Sequence, residues 1–331
     1  MTIKEMLEAR EAEILSPYAT LSQKTRGRET FLTPDDMRTE FQRDRDRIIH
    51  CKAFRRLMHK TQVFLSPEHD HYRTRLTHTF EVAQIARTVA RSLSLNEDLC
   101  EAIALGHDLG HTPFGHAGER VLQRCYDASF DHCKQSLRVV EKLECLNLTY
   151  EVRNGILCHA GEALADTNEG LIVKFADRIA YINHDIDDAL RAGILKRDAL
   201  PKSLTDILGK THGDRIDTMV RSLIVASTEK PVVTMEKKIY DATMQLRAFL
   251  FANVYTNPDA KGEEGRAEAL LEALYHYFIA HPDEMPAEYQ PTVCEEGVPR
   301  AVCDYISGMT DRYAINLYRS IFIPRVWGQK G

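Results

Sequence analysis

Eleven residues, Gly106 to His116 (GHDLGHTPFGH), hold three histidines and an aspartate: His107, Asp108, His111 and His116. The chain has 14 histidines in 331 residues, so this density asks for a chemical reason. His107 and His111 are four residues apart, a step that stacks two imidazoles on one helix face, whereas Gly110 and Pro113 argue that the helix stops there and the chain turns. Adjacent His107 and Asp108 point about 100° apart on a helix. Both reach one cation only if it lies over the edge between them, with further ligands arriving from elsewhere.

Two other segments offer those ligands. His78 stands at the start of an amphipathic pattern (RTRLTHTFEVAQIARTVAR), and Asp177 begins an acidic face that continues through Tyr181, His184, Asp185 and Asp188. Two imidazoles and two carboxylates make a mixed nitrogen and oxygen set, which suits Mn²⁺, Fe²⁺, Co²⁺, Ni²⁺ or Mg²⁺ better than a thiolate-seeking ion. His78, His107, Asp108 and Asp177 are candidates, and three segments could each supply part of a metal's coordination shell.

The elements that must position them read as helices. Apolar residues recur at steps of three and four, as in Val82, Ile85, Ala86, Val89, Ala90 and Leu93, and strand alternation is scarce. Helical pattern covers Leu99 to Leu109, Val139 to Leu146, Leu171 to Leu190, Met219 to Val225, Ile239 to Val254, Ala267 to Ile279 and Val302 to Ile323. Breaks fall at Ser66-Pro67, Gly110 to Gly115, Asp166 to Gly170, Leu200-Pro201, Gly209 to Gly213, Asn257 to Gly265 and Pro282 to Pro291. None is long or biased enough for a flexible linker, and no repeat of fixed period is visible. The fold class is all-α, read as a single domain over residues 1–331, with a metal-binding core at 43–192 and a helical extension at 193–331.

Composition narrows the classes. Hydrophobic residues at 44% and charged residues at 28% exclude collagenous and largely disordered chains. A net charge of −6 is too mild to announce a nucleic-acid or membrane partner in bulk. Between Arg43 and Lys60, seven basic residues stand against two aspartates, a local excess that suits phosphate or reads as a solvated helix face. There is no signal-peptide pattern and no long apolar run, so a cytoplasmic location without a membrane anchor is expected. Eight scattered cysteines without CxxC pairing read as reduced, mostly buried thiols.

The spacing H…HD…D, carried by His78, His107-Asp108 and Asp177, resembles the HD superfamily of metal-dependent phosphohydrolases. Longer segments sharpen the likeness: EFQRDRDRIIHCKAFRRLMHKTQVF from Glu40, RTRLTHTFEVAQIART from Arg73, GHDLGHTPFGHAGE from Gly106, FDHCKQSLR from Phe130, ADRIAYINHDIDDA from Ala176 and TDRYAINLYRSIFIPRVW from Thr310. Together they resemble the deoxynucleoside triphosphate triphosphohydrolases, in particular the short bacterial dGTPase-like branch, over most of the chain. One departure is visible, where the resemblance leads to Glu-His-Asn and this chain has Asp131, His132 and Cys133.

That resemblance implies hydrolysis of dGTP or other dNTPs to the deoxynucleoside and inorganic tripolyphosphate, with metal-activated water attacking the α-phosphorus and the 5′ oxygen leaving. Positioned histidines are natural proton donors near neutral pH, and the resemblance gives that part to His116. Glu119, one helical turn on, can orient its ring. His111 and His132 would contact the α-phosphate. Arg75 offers a guanidinium fork to phosphate oxygens, and the resemblance implies a contact there.

The position matching Arg178 would meet phosphate, that matching Tyr181 would pack against the deoxyribose, and that matching Asp185 would accept from the 3′ hydroxyl. Gln62 and Val63 look like the segment beside the sugar and base, and Arg56 is a weaker phosphate candidate. Tyr305 and Tyr313 read as core aromatics or as base-edge contacts. His50, His59, His69, His71, His159, His184, His212, His276 and His281 read as ordinary structural histidines.

The resemblance further implies a homo-oligomer, commonly a hexamer, and in several members activation by a dNTP at a subunit interface. Two alternatives stand beside this reading. One keeps the metal site but changes the nucleotide. The other is a regulatory module in which Arg43 to Lys60 engages single-stranded nucleic acid or an effector nucleotide.

Overall fold

The computed structural model describes residues 1–62, 73–196, 198–254 and 258–324, and Val63 lies outside them. The described residues form sixteen α-helices and no strand, with one isolated antiparallel bridge between Thr61 and Thr74. In chain order they are α1 (Ile3–Ile14), α2 (Glu40–His50), α3 (Lys52–Arg56), α4 (Arg75–Ser92), α5 (Glu97–Gly106), α6 (His116–Cys125), α7 (His132–Arg138) and α8 (Tyr150–Cys158). There follow α9 (Asn168–Arg191), α10 (Lys202–Leu208), α11 (His212–Ser227), α12 (Lys237–Asn253), α13 (Pro258–Ala280), α14 (Gln290–Glu296), α15 (Val298–Ser307) and α16 (Asp311–Phe322).

Each helix that carries a candidate ligand is fixed at its start by a cap. Thr74 accepts from the Thr77 amide to open α4, Asn96 from the Leu99 amide to open α5, and Thr167 from the Gly170 amide to open α9. These three helices pack on one another. Their buried stripes mix branched side chains (Val82, Val89, Ile103, Val173) with alanines (Ala86, Ala102, Ala176, Ala180), all fully buried. Small residues between larger ones let the axes approach closely, so polar groups at the helix ends can converge.

A second apolar cluster joins α6 to the C-terminal helices. Ala117, Val121 and Leu122 pack with Leu271, Leu274 and Phe278 of α13 and with Val302 and Ile306 of α15. The helix that carries His116 and Glu119 is therefore held from behind by residues more than a hundred positions later in the chain.

Three expected elements are corrected. Asn257 to Gly265 reads as a break, yet helix begins at Pro258, because proline at a first helical position costs no internal hydrogen bond. The single helix expected over Val302 to Ile323 is two, divided after Ser307 and restarted where the Thr310 hydroxyl accepts from the Tyr313 amide. Val139 to Leu143 is a π-helical turn rather than the body of a helix.

The basic stretch is also largely committed within the chain. Arg43 bonds Thr33 O and Glu40, Arg45 pairs with Asp46, Asp98 and Glu101, and Arg47 bonds Leu146 O. Lys60 is buried. Charge counted along the sequence overstates what remains to meet phosphate. No described helix is long and apolar enough to cross a membrane.

The turn after α5 is locked onto α7. Gly110 N–H donates to Ser136 Oγ at 2.9 Å, and Ser136 Oγ donates to His107 O at 2.7 Å. A Cβ on Gly110 would lie 2.1 Å from Ser136 N and 2.3 Å from Gln135 C, both backbone atoms. Gly110→Ala must push α7 away from the turn. We expect it to cost about 3 kcal/mol or more, the upper range for overpacking. A thermal melt within two degrees of wild type would contradict the close approach.

Candidate metal centre and active site

His107 follows directly on α5, and its Nδ1 donates to Ala104 O, three residues back, at 2.6 Å. That bond fixes the tautomer and leaves Nε2 as an acceptor without a hydrogen-bond partner, although it is buried. The acids nearest to it are Asp108 Oδ1 at 3.7 Å and Asp177 Oδ1 at 3.8 Å. His78, from the first turn of α4, brings Nε2 to 3.0 Å from Asp177 Oδ1, which comes from the middle of α9. Ligand atoms of His78, His107 and Asp108 lie within 4.8 Å of one another.

Electrostatics favours a cation here. Burial pushes His107 down to about 4, so the ring is neutral at pH 7 and its lone pair is free to bind. Burial would raise Asp108, but His107 and Arg75 outweigh it and hold the carboxyl well below its usual range. Burial opposes ionisation of Asp177 too, and the hydrogen bond from His78 brings it down to about 2. The set is two carboxylates and the His107 lone pair, with one proton shared between His78 and Asp177 that a cation would displace. A divalent cation of the nitrogen and oxygen class fits this donor set.

Arg75 takes a different place from the one expected. It is buried, and its Nη1 donates to Asp108 Oδ2 at 2.8 Å, opposite the oxygen that faces His107. That bond orients the carboxylate.

A second constellation adjoins the first. Glu119, on the first turn of α6, accepts from His116 Nδ1 at 3.2 Å with Oε2. Its Oε1 accepts from the His132 backbone N–H at 3.0 Å and from His132 Nδ1 at 3.2 Å. Burial opposes the charge on Glu119, and the bonds from His116 and His132 lower its pKa nonetheless. His111 stacks on His132 with ring centroids 4.6 Å apart and meets His116 edge-on at 5.7 Å. Burial, with Arg75 next, drives His111 well below the usual histidine range, so it is neutral. His116 is 69% exposed and open to a ligand.

The remaining candidates spread outward from this point. Arg178 reaches toward the Tyr240 ring, 6.0 Å to the centroid, and Tyr181 is half-buried on the same helix one turn on. Asp185 is buried on α9. The Gln62 carbonyl lies 3.5 Å from Arg75 Nη2. Arg56 stands 3.7 Å from Glu144 and lines a cleft of about 220 Å³ with Tyr289, Tyr305 and Tyr313. A larger cleft of about 500 Å³, between the N-terminal segment and α2, contains none of the candidate residues.

Two features escaped the sequence. His159 follows α8 as His107 follows α5, its Nδ1 donating to Ile156 O, three residues back, at 2.7 Å, and its ring lies 4.9 Å from that of His107. The shared signal, a histidine just past an apolar helix, was available. The other is a clasp. Lys60 Nζ donates to His111 O and, at 2.8 Å, to Ser307 O. Asp311 accepts from the Thr61 amide and hydroxyl and from the Phe114 amide. The C-terminal helices thereby grip both strands of chain that flank the histidines.

Burial brings Lys60 from 10.5 down to about 7. Between those values the unfolded chain holds a proton here that the folded chain lacks, so stability rises with pH through that window, by up to about 1.4 kcal/mol per pH unit. Urea unfolding of wild type and Lys60→Met at about pH 7.5 and about pH 9 isolates this term. The two proteins should diverge in wild type's favour as pH rises, and parallel behaviour would mean a charged, solvated Lys60.

Comparison with known proteins gives the family. The HD domain profile matches residues 75–182, a span that contains all four candidate ligands, and the phosphohydrolase-associated domain profile matches residues 233–320. A deoxyguanosinetriphosphate triphosphohydrolase-like protein of Caldanaerobacter subterraneus subsp. tengcongensis is 58% identical over 331 residues, covering 99% of this chain and 98% of the relative. A protein of the same description from Clostridium perfringens strain 13 is 49% identical over 338 residues, covering 98% and 99%. The crystal structure of a phosphohydrolase from Bacteroides thetaiotaomicron shares the fold, with a TM-score of 0.54 at 16% identity over 83% of this chain and 67% of that one.

Fold and matched profiles together define an HD-domain protein of the phosphohydrolase class. The chain belongs to the deoxyguanosinetriphosphate triphosphohydrolase-like family.

Proposed function

We propose that the protein hydrolyses deoxynucleoside triphosphates to the deoxynucleoside and inorganic tripolyphosphate. The observation that carries this reading is the juxtaposition of two groups: a largely buried His78, His107, Asp108 and Asp177 set with an unpartnered imidazole nitrogen, and beside it two histidines held by one carboxylate with a third stacked against them. The first would hold a divalent cation, Mn²⁺, Mg²⁺, Fe²⁺, Co²⁺ or Ni²⁺. When bound there, such an ion supplies charge stabilisation at an α-phosphate oxygen and acidifies water.

The protein's own groups do the rest. His116, exposed and backed by Glu119, delivers a proton to the departing 5′ oxygen. His132, held by the same carboxylate, and neutral His111 stacked upon it present ring edges to the α-phosphate. Arg75 keeps Asp108 in place and offers its remaining N–H groups to phosphate. Arg178, Tyr181 and Asp185 follow one face of α9 and serve phosphate, deoxyribose and 3′ hydroxyl in turn, a single row that matches the order of groups in a nucleotide.

The relatives' names support the substrate class. The test is to incubate the Mn²⁺- or Mg²⁺-loaded protein with each dNTP and NTP, singly and mixed, and to resolve the phosphate product by ³¹P NMR. Tripolyphosphate from dNTPs is expected. Orthophosphate or pyrophosphate as the first product would overturn the reading.

A further inference from the structure

Cys133 is the second residue of α7, and its sulfur faces two imidazoles. Sγ lies 3.6 Å from His132 Nε2 and 3.9 Å from His159 Nε2, and the ligand atoms of the three residues lie within 4.8 Å of one another. Cys133 is 7% exposed and His159 2%. Both rings are turned the same way, with His159 Nδ1 donating to Ile156 O and His132 Nδ1 donating to Glu119 Oε1. Each therefore directs Nε2 at the sulfur. One S–H···N contact uses one ring nitrogen, so two Nε2 atoms turned on the same sulfur are one more than a single hydrogen bond needs.

A thiophilic cation uses all three. With Zn–N of about 2.0–2.1 Å and Zn–S of about 2.3 Å, nitrogen and sulfur ligands at a tetrahedral angle stand about 3.6 Å apart. The two observed separations lie within a few tenths of an ångström of that. Each ligating nitrogen is also backed at Nδ1, by a carbonyl and by a carboxylate, the arrangement that orients histidines on zinc. The set is nitrogen and sulfur, unlike the nitrogen and oxygen set of His78, His107, Asp108 and Asp177, so the two select different ions.

We propose that His132, Cys133 and His159 form a second cation site, for a thiophilic divalent ion of the zinc class, whose filling withdraws His132 Nε2 from the substrate and inhibits the enzyme. Binding releases the Cys133 proton and leaves the fourth position to water. The site itself stands apart from the proposed reaction; only its inhibitory consequence rests on that reading.

The experiment saturates the full-length protein with Mg²⁺ and titrates Co²⁺ as the spectroscopic probe, then Zn²⁺. Wild type should show a saturable sulfur-to-cobalt charge-transfer band that Zn²⁺ displaces, and Cys133→Ser and His159→Gln should lose it. Zinc K-edge absorption of the unsubstituted protein should report a sulfur ligand, which keeps the test independent of how any variant folds. A wild type that binds Co²⁺ with no such band, or zinc with no sulfur, overturns the site and leaves an imidazolium–thiolate pair in its place.

With dNTP hydrolysis as the readout at saturating Mg²⁺, the Zn²⁺ concentration for half-inhibition should rise at least about tenfold in Cys133→Ser, the scale on which ligand-sphere changes act. An unchanged value overturns the inhibitory part. A band present in a protein that hydrolyses no nucleotide under any metal would sink the proposed function and leave the second site standing.

Discussion

Replacing His107 with alanine is expected to abolish hydrolysis of every dNTP, a loss of about 10³-fold or more in kcat/KM, at or beyond what removal of one electrostatic contact at a reacting group costs. The reason is specific to this ring. Its Nε2 is buried without a hydrogen-bond partner, faces Asp108 and Asp177, and belongs to an imidazole that burial keeps neutral. Alanine leaves two carboxylates and a void where a neutral donor stood. The same substitution should remove the stabilisation that metal confers on the folded protein. Saturation at about a hundred times the dissociation constant is worth about 2.7 kcal/mol. Wild type should therefore melt several degrees higher with Mn²⁺ than with chelator, and His107→Ala should melt alike in both. Activity within tenfold of wild type, or an intact metal-dependent rise in Tm, would remove His107 from the ligand set.

What the sequence shows of this site depends on how near its parts lie along the chain. The all-α class follows from three-and-four spacing, a local property, and the cluster from His107 to His116 is dense enough to stand out without any fold. His78 and Asp177 emerge because each lies on an amphipathic helix whose buried stripe already says which way it faces. The rest depends on pairings the chain makes at long range. Lys60 reads as one charge in a basic run, yet its partners, His111 O and Ser307 O, are 51 and 247 residues away. Arg75 reads as a free phosphate fork, and only the approach of α4 to the end of α5 shows that Asp108 has claimed part of it. His159 and Cys133 read as an ordinary histidine and a buried thiol, because what sets them apart is a shared neighbour, not a spacing.

Glu119 is the residue whose removal should expose how far the histidines proposed for catalysis depend on one another. Its two oxygens hold His116 Nδ1, His132 Nδ1 and the His132 backbone amide that opens α7. Alanine frees both rings at once and strands a backbone N–H, so kcat should fall about 10²–10⁴-fold, the span attributed to a positioned acid. Glutamine keeps an oxygen for the amide and loses the charge and the second acceptor. It should fall about 10–100-fold, as orienting partners of functional imidazoles do. In both variants Mn²⁺ affinity should hold, because Glu119 touches none of His78, His107, Asp108 or Asp177. Single-turnover rates with Mn²⁺ binding measured alongside decide the matter. If Glu119→Gln loses metal along with rate, the carboxylate supports the cation rather than the proton donor, and if it keeps both, His116 works without it.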